Sequence, residues 1–290
     1  MPVIKLEDVS KLYGFGDATN IALDEVTLTI DDGEFVAVMG PSGSGKSTLM
    51  NVIGLLDQPT HGTYLLNGRP VAKLRPNRTA RIRRDTVGFI FQSFNLLPRL
   101  TVLENVALPL AYKGMSVTRR LKLASAMLDR VGLQDREYFY PYQLSGGQMQ
   151  CVAIARALVN NPKVIIADEP TGNLDSAGSR LIMELLSELH KTGNTVLFVT
   201  HNPELTRYAT RVVYMHDGAI IHDEDTEIGE VAKRAHSVMY HVPLTTEEDA
   251  LAGVSALMQA VPQKPASRKP VAKRRKTKPR RRSTKKVAKS

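Results

Sequence analysis

The sequence predicts an α/β protein: a core of mixed β-sheet and helices, an antiparallel β layer near the N-terminus, and an inserted helical segment. Three observations predict it. Short apolar runs bounded by turn residues occupy the first hundred residues, helical periodicity dominates from about Gln92 to Asn161, and apolar runs separated by a helical stretch return after Val164.

Taken in order, residues 4–9, 22–30, 35–39 and 64–66 read as strands. Asp31-Asp32-Gly33 separates two of these runs and Asn67-Gly68 follows another, both suited to antiparallel hairpins. After Gly45, the residues Leu49, Val52, Ile53 and Leu56 share one helix face. Thr101 with Glu104 makes a capping box, and residues 121–131 and 149–159 continue the helical pattern. Residues 164–167 and 195–199 flank a helical stretch at 179–191, the order of a parallel strand-helix-strand unit. Residues 212–215 and 219–221 flank His216-Asp217-Gly218 and predict a closing hairpin. Thr245 and Glu248 cap a candidate helix with Leu251, Val254, Leu257, Met258 and Val261 on one face. The expected organisation is a domain at 1–225 with its helical subdomain at about 93–160, an extension at 226–262, and a tail at 263–290. The tail is too polar to order when free.

With 290 residues and 42% of them apolar, the chain can bury a sizeable core. No run reaches the roughly 18 consecutive apolar residues of a membrane-spanning helix, and the N-terminus carries no apolar segment of signal-peptide form. The expected location is therefore the cytoplasm. The single cysteine, Cys151, excludes an internal disulfide and a multi-cysteine zinc site. A net charge of +10 suggests nucleic acid until it is located along the chain. Residues 264–289 hold 14 Lys and Arg and no acid, which leaves 25 basic against 29 acidic residues in 1–263, a net of −4. The body is mildly acidic, and only the tail is basic.

Gly40-Pro41-Ser42-Gly43-Ser44-Gly45-Lys46-Ser47 follows a predicted strand, opens a predicted helix and matches the full phosphate-binding loop pattern. The glycines let backbone N–H groups turn inward on phosphate oxygens, and the helix start adds its positive dipole end. Lys46 reaches the outer phosphates, Ser47 can ligate Mg2+, and Thr48 continues the nucleotide-binding turn. A glycine-rich turn of no function would not require the Lys-Ser pair in this setting. A second apolar strand ends in Asp168-Glu169, at the sheet edge where open α/β sheets bind ligands. Asp168 is suited to hold Mg2+ through its water shell, and Glu169 to accept a proton from water attacking the γ-phosphate of ATP. By itself this pair reads equally as a solvated strand exit; the phosphate loop tips the balance.

Leu144-Ser145-Gly146-Gly147-Gln148, opening a helix, is where the sequence begins to resemble ATP-binding-cassette ATPases, and it implies their phosphate-loop NTPase core. Ser145, Gly146 and Gly147 at a helix start form a second anion cradle. Tyr13, Gln92, Asn173-Leu174-Asp175 and His201 stand in the family's order, and the resemblance covers about residues 3–222. It implies that each ATP lies between the phosphate loop of one subunit and the signature, including Gln148, of another, so the chain works as a homodimer. It also implies that Tyr13 stacks on adenine, Gln92 senses Mg2+ and the transporter, Asp175 lies at the dimer contact and His201 contacts the γ-phosphate.

Within the family, Lys11-Leu12-Tyr13-Gly14, Gly54-Leu55-Leu56-Asp57, Gly62-Thr63-Tyr64 and residues 91–98 resemble the lipoprotein-release and macrolide-export group. That resemblance implies a separate transmembrane permease, driven by dimer closure on ATP, with the ATPase on the inner face of the membrane. Two features depart from it. Cys151 stands where the family has Arg after the signature, which puts a polar contact and the signature's positioning in doubt, and the basic extension is not usual.

The competing reading is an ATPase of this fold that serves nucleic-acid or ribosome processes. It lacks the expected long coiled coils, zinc-bearing cysteines or second cassette. An inactive cassette is opposed by Lys46, Asp168, Glu169 and His201. The tail fits a solvated segment, an anionic lipid contact or a nucleic-acid contact. With no aromatic residue after Tyr240, no DNA sequence specificity is expected.

Overall fold

The computed structural model describes residues 1–14 and 19–226; the candidate helix near 245–261 and the basic tail lie outside them. β1 (Pro2–Tyr13) and β2 (Asn20–Asp31) pair antiparallel and bury Ile4, Leu6, Leu28 and Ile30 on alternate positions. Asp31-Asp32-Gly33 is not the hairpin turn that its composition suggests, because the chain here leaves one sheet for another. All five residues of β3 (Phe35–Met39) are buried, and a strand with no wet face belongs between parallel neighbours in a covered sheet. Gly33, at φ 81°, makes the change of direction, and its N–H donates to Thr195 Oγ1 at 2.9 Å.

α1 (Lys46–Ile53) buries Leu49, Val52 and Ile53 as its periodicity requires. Leu56, expected on the same face, is exposed instead: Gly54 ends the helix, Leu55 turns to φ 58°, and Leu55 takes the buried place. β4 (His61–Leu66) and β5 (Arg69–Pro70) complete a first sheet of order β2-β1-β4-β5. Asn67 and Gly68 join them, both at positive φ, as a tight hairpin demands. α2 (Pro76–Thr86) and β6 (Val87–Phe91) have no clear sequence signal. Only Thr79 of α2 is buried, and the helix runs into the strand without a turn residue between them.

α3 (Val102–Tyr112), α4 (Val117–Arg130) and α5 (Gly146–Leu158) make up the helical region, and Thr101 and Glu104 form the expected capping box. β7 (Val164–Asp168), α6 (Ser176–Lys191) and β8 (Thr195–Val199) form the parallel unit. β9 (Arg211–His216) and β10 (Ala219–Asp225) close it as a hairpin. The second sheet runs β10-β9-β3-β8-β7-β6 and is parallel except at β10, so the sheet is mixed.

Successive side chains of a strand point to opposite faces, so this one sheet builds two cores. Val36, Val38, Val164, Ile166, Leu197 and Val199 pack with α1 and the antiparallel sheet. Phe35, Ala37, Ile165, Ala167, Val196 and Phe198 pack with apolar residues of α3, α4, α5 and α6. The helical region thus shares a core with the sheet. Among the described residues no helix is long and apolar enough to cross a membrane.

Tyr64, fully buried, donates its hydroxyl to Ile53 O at 2.6 Å and satisfies a carbonyl at the end of α1. Tyr64→Phe removes the donor and keeps the packing, so urea denaturation is expected to show a loss of about 1–2 kcal/mol. An unchanged midpoint would mean that the bond adds nothing to stability.

Candidate functional site

β3, β8 and β7 are neighbours that end at the same sheet edge, and the chain leaving each carries polar groups. The glycine loop and Lys46 follow β3, His201 follows β8, Asp168 ends β7 and Glu169 follows it. With Tyr13, Ser42, Gly43, Gly45, Ser47, Thr48 and Gln92, these groups line one cavity of about 620 Å³.

The loop conformation explains its glycines. Gly40 lies so close to Met215 O and Ser44 Oγ that a Cβ would collide with both, and Gly45 turns the chain into α1 at φ 95°. The Ser44 N–H donates to Pro41 O at 3.3 Å. Gly45 caps α1 without a side chain, which leaves the first helical N–H groups for a ligand. The Lys46 ammonium, nearly buried, donates to Gly40 O at 2.9 Å and Pro41 O at 2.6 Å. Phosphate oxygens can replace these carbonyls with charge-assisted bonds.

Burial, together with the charge of Glu169, raises the Asp168 carboxyl above its ordinary range against the pull of Lys46. A bound divalent cation would supply the missing positive charge. Ser47, Asp168 and Gln92 line the same cavity and offer oxygen atoms, the donor type that Mg2+ prefers. Glu169 takes φ 44°, a left-handed conformation, while its N–H donates to Val199 O at 3.2 Å. Its Oε1 lies 3.0 Å from His201 Nδ1, so the imidazole steadies the carboxylate whenever Nδ1 carries a proton. Gln92 follows β6, and its carbonyl accepts from Asn173 Nδ2 at 3.0 Å.

Ser145, Gly146, Gly147, Gln148 and Asp175 are not among the residues that line this cavity. Ser145 caps α5, its Oγ accepting from the Gln148 N–H while Gln148 Oε1 accepts from the Ser145 N–H. Asp175 caps α6 and accepts from the Gly178 N–H at 2.7 Å. Gly146 abuts Leu174, which sets the signature beside Asn173-Leu174-Asp175. Within one chain the start of α5 therefore lies apart from the glycine-loop cavity. Cys151 is buried in the helical core, where burial pushes its thiol up to about 12, so it packs as an apolar group and carries no thiolate. The capping box of α5 is intact despite the absent arginine.

Gln150 has no mark in the one-dimensional pattern. It is fully buried, and its Nε2 donates to Pro170 O at 2.7 Å, joining α5 to the residue after Glu169. Lys11 and Asp57, noticed only as part of a resemblance, flank Tyr13: the tyrosine hydroxyl donates to Asp57 Oδ2 at 2.8 Å. The Lys-x-Tyr spacing places positions 11 and 13 on one side of a strand, but nothing local points to Asp57, 44 residues on.

The ABC transporter family model matches residues 23–172. The chain is 50% identical over 222 residues to a macrolide export ATP-binding/permease protein of Hyphomonas neptunium, covering 77% of this chain and 34% of that protein. It thus spans about a third of that relative's length. It is 49% identical over 226 residues to an uncharacterized ABC transporter ATP-binding protein of Bacillus subtilis, covering 78% of this chain and 99% of the relative. Among solved structures it is similar, with a TM-score of 0.71 and 47% identity, to a dimeric ATP-binding cassette in a post-hydrolysis state bound to ADP and Pi. That match covers 77% of this chain and 98% of the other.

The folded-state value of Asp168 lies above the ordinary 3.8, so the native chain holds the proton through a window that begins there. The contribution of this group to stability therefore falls as pH rises through the window and is least favourable at neutral pH. Asp168→Asn is expected to raise the Tm of the nucleotide-free chain at pH 7.5 by about 2–4 °C, with the gain shrinking toward pH 4. Thermal melts that show no gain at pH 7.5 would remove burial as the cause.

Proposed function

The chain belongs to the ABC transporter family, and we propose that it binds and hydrolyses ATP in the glycine-loop cavity as one half of a homodimer. The observation that carries this reading is the convergence of Lys46, Asp168, Glu169 and His201 on one cavity while the signature lies outside it. A site that lacks its second anion cradle is completed when another copy presents Ser145, Gly146, Gly147 and Gln148 to the bound triphosphate. The dimeric state of the structural relative supports that arrangement.

Lys46 and the N–H groups that open α1 hold the phosphates, and Tyr13 offers its ring to the adenine. Ser47, Asp168 and Gln92 are the oxygen donors that would hold Mg2+, which when bound supplies positive charge to the phosphate oxygens. Glu169 orients the attacking water and accepts its proton, and His201 fixes that carboxylate and reaches toward the γ-phosphate. Asp175, at the start of α6 beside the signature, contacts the second subunit.

Closure of the two copies on ATP, and opening after hydrolysis, performs work on a separate permease of the lipoprotein-release or macrolide-export type. The Hyphomonas neptunium relative, whose name joins an ATP-binding part to a permease, supports the pairing of such a chain with a permease. A groove of about 570 Å³ lined by Phe89, Phe91, Pro109, Arg81, Arg84 and Tyr112 offers the permease a surface. The chain then works at the inner face of the membrane. Its basic tail adds charge suited to an anionic lipid or nucleic-acid surface, without base specificity.

With Mg2+ the purified chain is expected to turn over ATP, and Glu169→Gln to lower kcat at least about a hundredfold. The variant is expected to elute as an ATP-bound dimer. A wild-type chain that neither binds ATP nor dimerises in its presence would overturn the proposal.

A further inference from the structure

We propose that Lys11 and Asp57 are positioning residues for base recognition, holding the Tyr13 ring so that it meets the purine and its place is fixed relative to the phosphates. This inference rests on the reading of the glycine-loop cavity as an ATP site.

Tyr13 ends β1 at the edge of the cavity and is 41% exposed. A ring so exposed keeps its rotamer freedom unless something holds it, and it gives up that freedom when it stacks on a ligand. Here the ring is held before a ligand arrives. Its hydroxyl donates to Asp57 Oδ2 at 2.8 Å. Lys11 Nζ donates to Asp57 Oδ1 at 2.7 Å and to Gln58 O at 2.9 Å, and the same ammonium stands 4.9 Å from the Tyr13 ring centroid. The tip of the ring is tied and a cation stands over one face, while the ring stays 41% exposed at the cavity, where a base can stack on it.

The anchor is itself fixed. The Lys11 side chain is only 12% exposed, so its charge is committed to this cluster. The Asp57 N–H donates to Asn51 O at 3.1 Å, and the Gln58 N–H donates to Asp57 Oδ1 at 2.7 Å. Burial opposes ionisation of Asp57, yet bonds from Lys11, Tyr13 and the Gln58 N–H hold its carboxyl below the usual range. Asn51 belongs to α1, the helix whose first residues line the phosphate end of the cavity. One short helix therefore carries the phosphate-binding N–H groups at its start and, through the turn beyond its end, the anchor of the base-binding ring. Lys11 and Asp57 act through Tyr13, on the base and not on the phosphates.

The test is equilibrium binding of ATP and of inorganic tripolyphosphate, both with Mg2+, to the full chain and to Asp57→Ala, Tyr13→Phe and the double variant. Each single substitution is expected to raise the Kd for ATP about fivefold, the double variant no more than either single, and the Kd for tripolyphosphate to stay within about twofold. Damage to α1 would weaken both ligands alike, and Tyr13→Phe, which keeps the ring at an exposed position, separates loss of the tether from misfolding. Equal losses for both ligands, unchanged ATP affinity in both single variants, or multiplied losses in the double variant would each overturn the inference while the ATP site stands. A wild-type chain that binds neither ligand would overturn the ATP-site reading and this inference with it.

Discussion

Burial of β3, β7 and β8 on both faces is the constraint from which the other features follow. A parallel strand covered on both sides pairs its backbone groups laterally and fills its faces with apolar side chains. Water-seeking chemistry is then confined to the strand ends. Because the three strands are neighbours, their ends are neighbours too, and residues far apart in the chain meet there: Lys46, Asp168 and His201. The antiparallel sheet and α1 cover one face and α3 to α6 the other, so the site stands on the rim of two cores.

The rim holds polar groups in positions that an apolar interior would not favour. Glu169 has left-handed backbone geometry, a conformation that costs on the order of 1–3 kcal/mol. Asp168 is buried beside a like charge, and Lys46 spends its ammonium on the carbonyls of its own loop. These arrangements persist because dense packing on both sheet faces over-determines the backbone. A bound triphosphate would answer this polarity with charge-assisted bonds.

A small set of hydrogen bonds joins the signature helix to this rim. Gln150 of α5 donates to Pro170 O, one residue beyond Glu169, and Arg156 of the same helix donates to the carbonyls of Asn95 and Phe94. Asn173 donates to Gln92 O. The segments after β6 and after β7 are thus tied to one another and to α5. Displacement of one must carry the others or break these bonds, of which Gln150 to Pro170 is buried and expensive to leave unmade.

The phosphate loop, the Asp168-Glu169 strand end, the capping box of Thr101 and the hairpin at Asn67-Gly68 were legible in the sequence because each is written as a short run of residue types. Glycine at positive φ, an oxygen at a helix start and an apolar run ending in acids are local requirements. Where local signals misled, a partner distant in sequence or the end of a helix had decided. Asp31-Asp32-Gly33 has hairpin composition, but burial of β3 on both faces sends the chain into another sheet; Leu56 continues an apolar period that Gly54 and Leu55 break. α2 and β6 give almost no pattern, since one buries a single residue and the other owes its place to β7. The contacts of Asp57 with Tyr13 and of Gln150 with Pro170 span 44 and 20 residues. The sequence by itself determined which local structures could hold phosphate, metal and proton. Tertiary structure alone decided which of them share a cavity, because that depends on strand order, and strand order is settled by which apolar faces can cover one another.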